Sequence, residues 1–174
     1  MILRYATHAL RRTSACLLPT LLDRLRDDAP HRRVESPDEY AVTHAQMRDI
    51  VQRDLGFLLN TTNLAGSLDH ERYPHAAAST INYGVPPFAG AFAASCEWRD
   101  IETALRRAIT TFEPRLLADT LSIAPLSAPD VKGYNVLRFE IRATMRMDAY
   151  PLEFIVQSSL DLETRQVSLT PARA

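Results

Sequence analysis

The hydrophobic period of this chain changes once, at Pro114, and that change constrains the fold more than any other feature of the sequence. Before the proline, apolar residues recur every three to four positions; after it they alternate. A period of 3.6 puts side chains on one stripe of a helix, whereas a period of two puts them on one face of a strand. Helices first and strands last predict an α+β fold, with N-terminal amphipathic helices packed on one face of a small, mainly antiparallel sheet of about four strands.

Within the helical half, Leu18, Leu21, Leu22 and Leu25 predict a short helix carrying an apolar anchor strip. Residues 27–42 are nearly devoid of apolar side chains and read as an exposed connector. Thr43 and Gln46 then have the spacing of a capping box, and Met47, Ile50, Val51, Leu55, Leu58 and Leu59 follow on one face. A core-facing helix is therefore expected over about 43–59. Residues 60–95 have no period. A second core-facing helix is expected from Glu97 to Phe112, with Ser95 as N-cap and Ile101, Leu105, Ala108, Ile109 and Phe112 on its buried stripe.

In the strand half, Leu137, Phe139, Ile141, Ala143 and Met145 face one way and Arg138, Glu140, Arg142 and Thr144 the other, which predicts a strand over 134–145 with one wet face. The alternation recurs around Leu152 to Leu160 and at Val167 and Leu169, with 148–151 and 161–165 as turns; a fainter strand is expected over 117–126. A chain of 174 residues is long enough for one hydrophobic nucleus. Residues 1–16 are expected to form a flexible extension ahead of a single α+β domain over 17–174.

Several classes of function lose support here. With 20 Lys+Arg against 21 Asp+Glu, the net charge of -1 supplies no field for gathering nucleic acid or anionic membrane. No apolar run reaches the ~18 residues of a bilayer span, and Arg4, His8, Arg11 and Arg12 interrupt the apolar stretches of the N-terminus, so a cytoplasmic protein is expected. Cys16 and Cys96 have no CxxC partner and read as buried small hydrophobes. His70 and His75 are five apart with Pro74 between them, not four apart on one helix, so no metal site is expected. No phosphate-cradling or nucleophile-elbow glycine motif is present, and no cofactor is expected.

One constellation stands out: Phe112-Glu113-Pro114-Arg115-Leu116. Glu113 falls at the negative end of a helix dipole, where a carboxylate calls for a cation. Proline drives the residue before it into extended backbone, so Glu113 and Arg115, two apart, emerge on one side of a stiff joint. They either pair internally and fix the helix-to-strand bend, or pair with another chain. Both readings oppose acid catalysis by Glu113, because a general acid must hold its proton and a guanidinium favours the ionised carboxylate.

Four segments carry a resemblance to a known family: Leu17-Leu18-Pro19-Thr20-Leu21-Leu22-Asp23-Arg24-Leu25, then Val51-Gln52-Arg53-Asp54-Leu55-Gly56-Phe57-Leu58-Leu59-Asn60-Thr61, then Asn82-Tyr83-Gly84-Val85-Pro86, then Ile109 to Leu116. In this order, from about 17 to 170, the chain resembles the TssE baseplate subunits of bacterial type VI secretion systems. These belong with the wedge proteins of contractile phage tails, a family also labelled lysozyme-like. Thr62, Pro87 and Arg165 stand where the family usually has Arg, Asp and Gly.

The resemblance implies a wedge-like domain with a structural, non-enzymatic role. It would sit in the cytoplasm, in a baseplate docked at the inner membrane. The implied partners are the wedge proteins TssF and TssG, TssK, and the sheath proteins TssB and TssC, with no nucleic acid and no direct membrane insertion. Glu113, Pro114 and Arg115 become the assembly motif. An exposed sheet edge can also accept a strand from another chain, and 152–160 and 166–170 are the candidate edges, with Val167 and Leu169 as interface residues. The alternative is a lysozyme-type glycoside hydrolase acting on peptidoglycan, which needs two carboxylates, one kept protonated. No second carboxylate is evidently paired with Glu113.

Overall fold

The structure, a computed structural model, describes residues 19–26, 30–32, 42–69, 71–87, 97–126, 136–147, 150–164 and 166–171. The expected extension over 1–16, Cys16, His70, Ser95 and Cys96 lie outside the described residues. Helices α1 (Leu21–Leu25), α2 (His44–Leu59), α3 (Pro74–Ala77) and α4 (Trp98–Phe112) precede strands β1 (Ser122–Pro125), β2 (Val136–Met145), β3 (Leu152–Asp161) and β4 (Val167–Pro171). The strands form one sheet in the order β1-β2-β3-β4, every neighbouring pair antiparallel. The chain thus adopts the expected α+β fold, with sequential strands pairing as neighbours.

Each long helix begins on a reciprocal cap. At α2, the Thr43 hydroxyl accepts from Gln46 N–H at 3.2 Å while the Gln46 side chain accepts from Thr43 N–H at 2.8 Å. At α4 the N-cap is Glu97 and its reciprocal partner is Asp100. Two stripes then turn inward: Met47, Val51, Leu55, Leu58 and Leu59 from α2, and Ile101, Leu105, Ala108 and Ile109 from α4. They meet Phe139, Ile141, Ala143 and Met145 of β2 and Phe154, Val156 and Leu160 of β3 in one cluster. The register sets Ile141 against Val156 and Ala143 against Phe154, so one face of the sheet is apolar under both helices.

Three expectations need correction. The apolar strip of α1 is not an anchor among the described residues: Leu21, Leu22 and Leu25 are 69%, 67% and 74% exposed and α1 buries no residue, while Leu18 lies outside the described residues. The strand expected over 117–126 is a 3-10 turn, Ala118–Thr120, followed by the short β1, because Thr120 folds its hydroxyl onto Leu117 O and Thr144 N–H. Finally, β3 is paired on both sides, so 152–160 is no edge, and only β1 and β4 flank the sheet.

The aperiodic stretch after α2 is held by its own contacts. Val85 N–H donates to Thr61 O and Asn63 N–H to Val85 O, both at 2.9 Å. The approach is close enough to demand glycine at Gly84, where φ is 120° and a Cβ would lie 2.2 Å from Thr61 O. Tyr83, carried on this strap, packs edge-on against Phe112 at the end of α4, with ring centroids 5.2 Å apart.

Candidate functional site

The end of α4 sets the site. Glu113 is its C-cap, with N–H donating to Ile109 O, and its backbone (φ −121°, ψ 74°) has left the helical region, which the following Pro114 disfavours, without becoming fully extended. The chain then joins the sheet at once: Arg146 N–H donates to Arg115 O at 2.7 Å, Leu117 N–H donates to Thr144 O at 2.9 Å, and Leu116 bridges Met145. Glu113 is 4% exposed. Its Oε1 accepts from Arg115 Nε at 2.6 Å and from Arg115 N–H at 3.2 Å, and its Oε2 accepts from Arg115 Nη2. Glu113 and Arg115 pair with each other within this chain, but Glu113 is buried and does not emerge at the surface.

The pair does not stand alone. Arg115 Nη2 also donates to Asp54 Oδ2 at 2.7 Å, and the other oxygen of Asp54 accepts from Arg53 Nη2 at 2.7 Å and Nε at 3.1 Å. Arg53 reaches on to α1, where its Nη1 and Nη2 grip the two oxygens of Asp23 at 2.5 and 3.0 Å. Five charges of alternating sign, Asp23, Arg53, Asp54, Arg115 and Glu113, thus link α1, α2 and the joint after α4. Glu113 is the most buried member, with its side chain 5% exposed; Asp23, Asp54 and Arg115 are 20–26% exposed and Arg53 is the most open at 37%.

The electrostatics follow from these contacts. Burial alone would lower the Arg115 guanidinium, but Glu113 and Asp54 outweigh it and hold its pKa above the usual value. Arg53 is raised by its bonds to Asp23 and Asp54. Asp23 is held down to about 2 by the Arg53 hydrogen bonds, with the Thr20 hydroxyl adding to them. Tyr83 is pushed up by burial first, and by the Asp54 and Glu113 carboxylates next. Arg115 Nη1 is buried with no hydrogen-bond partner among the described residues.

Asp54, Arg53 and Asp23 escaped the sequence reading because their pairing spans 61 and 30 residues, which no local spacing reveals. A signal existed in Arg53-Asp54, adjacent opposite charges beside the buried positions Val51 and Leu55. Chemically, the Asp54 and Glu113 carboxylates are bridged, since one guanidinium nitrogen of Arg115 donates to both. His75 is exposed on α3, and no group of three His, Cys, Asp or Glu able to hold a metal occurs among the described residues.

Val167 and Leu169 lie on the outer strand β4, where Leu169 lines a surface cavity together with Arg53. Asp161 N–H donates to Gln166 O, so in the alternating ladder Val167 and Leu169 turn their main-chain groups away from β3. Three of those groups are taken by side chains of α2 and its C-cap. Asn60 donates from Nδ2 to Val167 O at 2.9 Å and accepts Val167 N–H at 2.8 Å, and Gln52 donates to Leu169 O at 3.2 Å.

A family model described as baseplate wedge protein gp25 matches residues 45–150, more than half of the chain, and this span contains α2 to β2 with Asp54, Glu113 and Arg115. No curated protein and no solved structure matches. No helix among the described residues is long and apolar enough to cross a membrane.

Proposed function

The chain belongs to the family of the baseplate wedge protein gp25, and from that premise we propose that it is the TssE-type subunit of a type VI secretion baseplate. As a family of baseplate structural components, it assembles with other baseplate parts. In our reading those parts are the wedge proteins TssF and TssG, with TssK nearby and the TssB and TssC sheath nucleating above. The complex would lie in the cytoplasm against the inner membrane. The role is structural, and residues 17–174 act as one wedge-like unit.

The observation that carries the reading is convergence. Three of the four segments with the family's sequence character meet in one network, in which Asp54 ties Arg115 to Arg53 and Glu113 locks the joint, and the fourth adjoins it through Tyr83 packed on Phe112. Such a network fixes the relative positions of α1, α2 and the joint after α4, as an assembly subunit requires. The occupied carboxylates speak against the peptidoglycan alternative.

The β4 edge enters as a second contact. A strand from a sheath subunit adds at Val167 and Leu169 once Asn60 and Gln52 release them, exchanging side-chain for main-chain hydrogen bonds. The test is co-purification with TssF and TssG. Wild type is expected to form the complex, and Glu113→Gln and Arg115→Lys to lose it while keeping a native circular dichroism spectrum. A wild-type chain that fails to associate, or clears a peptidoglycan suspension through Glu113, refutes the reading.

A further inference from the structure

Helix α1 is turned the wrong way for a helix that serves its own core. At 3.6 residues per turn, successive side chains are about 100° apart, so Leu21, Leu22 and Leu25 share one side and Asp23 lies roughly opposite. An amphipathic helix on a protein surface normally buries its apolar stripe and shows its polar side to water. Here the polar side faces the protein, gripped by Arg53 through both Asp23 oxygens, and the three leucines face out, 67–74% exposed. Phe57, one turn beyond Arg53 on α2, is 55% exposed as well.

We propose that α1 is a docking arm. Leu21, Leu22 and Leu25 seat in an apolar groove of another baseplate component, and the Asp23–Arg53–Asp54 contacts hold the arm at the angle that fits it. The occupant follows from continuity. Arg53 belongs to the network that ends at Glu113 and Arg115, and of the five side chains Arg53, which holds α1, is the most exposed at 37%, so a baseplate component seated on α1 meets the network there. The inference rests on the proposed function, because it takes the partner to be a component of the same baseplate. A helix of little more than one turn presents too small a surface for a lone interface of about 800 Å² per partner, so α1 is one element of a larger contact.

The experiment uses the full chain and the purified TssF–TssG complex, with affinity measured by calorimetry. The triple variant Leu21→Gln, Leu22→Gln, Leu25→Gln removes side chains that touch no core and is expected to keep the wild-type melting temperature. It should lose at least about 100-fold in affinity, since burying a leucine is worth about tenfold or more. Asp23→Asn keeps the leucines but frees the arm and should weaken binding by about tenfold or less. Independently, the α1 amides of the wild-type chain should exchange hydrogen more slowly in the complex than alone.

Unchanged affinity of the triple variant together with unchanged α1 exchange overturns the docking arm. So does an arm that instead mediates self-association in light scattering, or binding to phosphatidylglycerol vesicles. Loss of complex in Glu113→Gln with a fully active triple variant sinks the arm and leaves the proposed function standing. Failure of the wild-type chain to bind TssF–TssG sinks both.

Discussion

At the scale of single residues, Arg115 has more depending on it than any other side chain. It satisfies both oxygens of the buried Glu113 and one of Asp54. Removing one member of a buried ion pair leaves an uncompensated charge, so Arg115→Met should lower the unfolding free energy by about 3–5 kcal/mol in a urea titration. At the α1 end of the network, Asp23 is ionised well below its ordinary 3.8. Its folded-state value lies under its unfolded one, so the contribution is complete above about pH 4 and is lost as pH falls towards 2. The pair is solvent-facing, so the effect is about 1 kcal/mol or less. It should appear as detachment of α1, read from its NMR amide shifts, before global unfolding. The Glu113–Arg115 half of the site was legible because proline and an i, i+2 spacing define it locally. Asp54 was not, since only the packing of α2 beside the joint brings it within reach.

Among elements, period and capping carried the reading where one face of a segment is buried. Thr43 and Gln46 announced α2, and the alternation from Leu137 to Met145 announced β2. Where local chemistry competes with period, the reading faltered: the Thr120 hydroxyl bends 118–120 into a 3-10 turn, and the leucine stripe of α1 faces outward. Which strand would be an edge was not legible, because order in a sheet is a property of pairing and not of any one strand. The β4 edge depends on Asn60, whose side-chain amide completes the main-chain pairing of Val167 and also donates to Gly56 O. Asn60→Ala should cost about 1–3 kcal/mol in chemical denaturation. It should also raise the tendency of the protein to pair edge to edge, measured by light scattering over time.

Over the whole molecule, helices and sheet share a single apolar cluster, from Val51 and Leu105 to Phe154 and Val156. Unfolding should therefore be one cooperative event, with far- and near-ultraviolet circular dichroism melting together. Leu105→Ala, at a position with no solvent exposure, should lower stability by about 2–5 kcal/mol without splitting the transition. The joint after α4 bears on how such a body handles stress. Because residues 115–117 are stitched to β2 and the residue after it within three to five positions of the helix end, α4 has little slack in which to swivel. A tug on the helix passes directly into the longest paired strands of the sheet, and the subunit moves as one stiff lever.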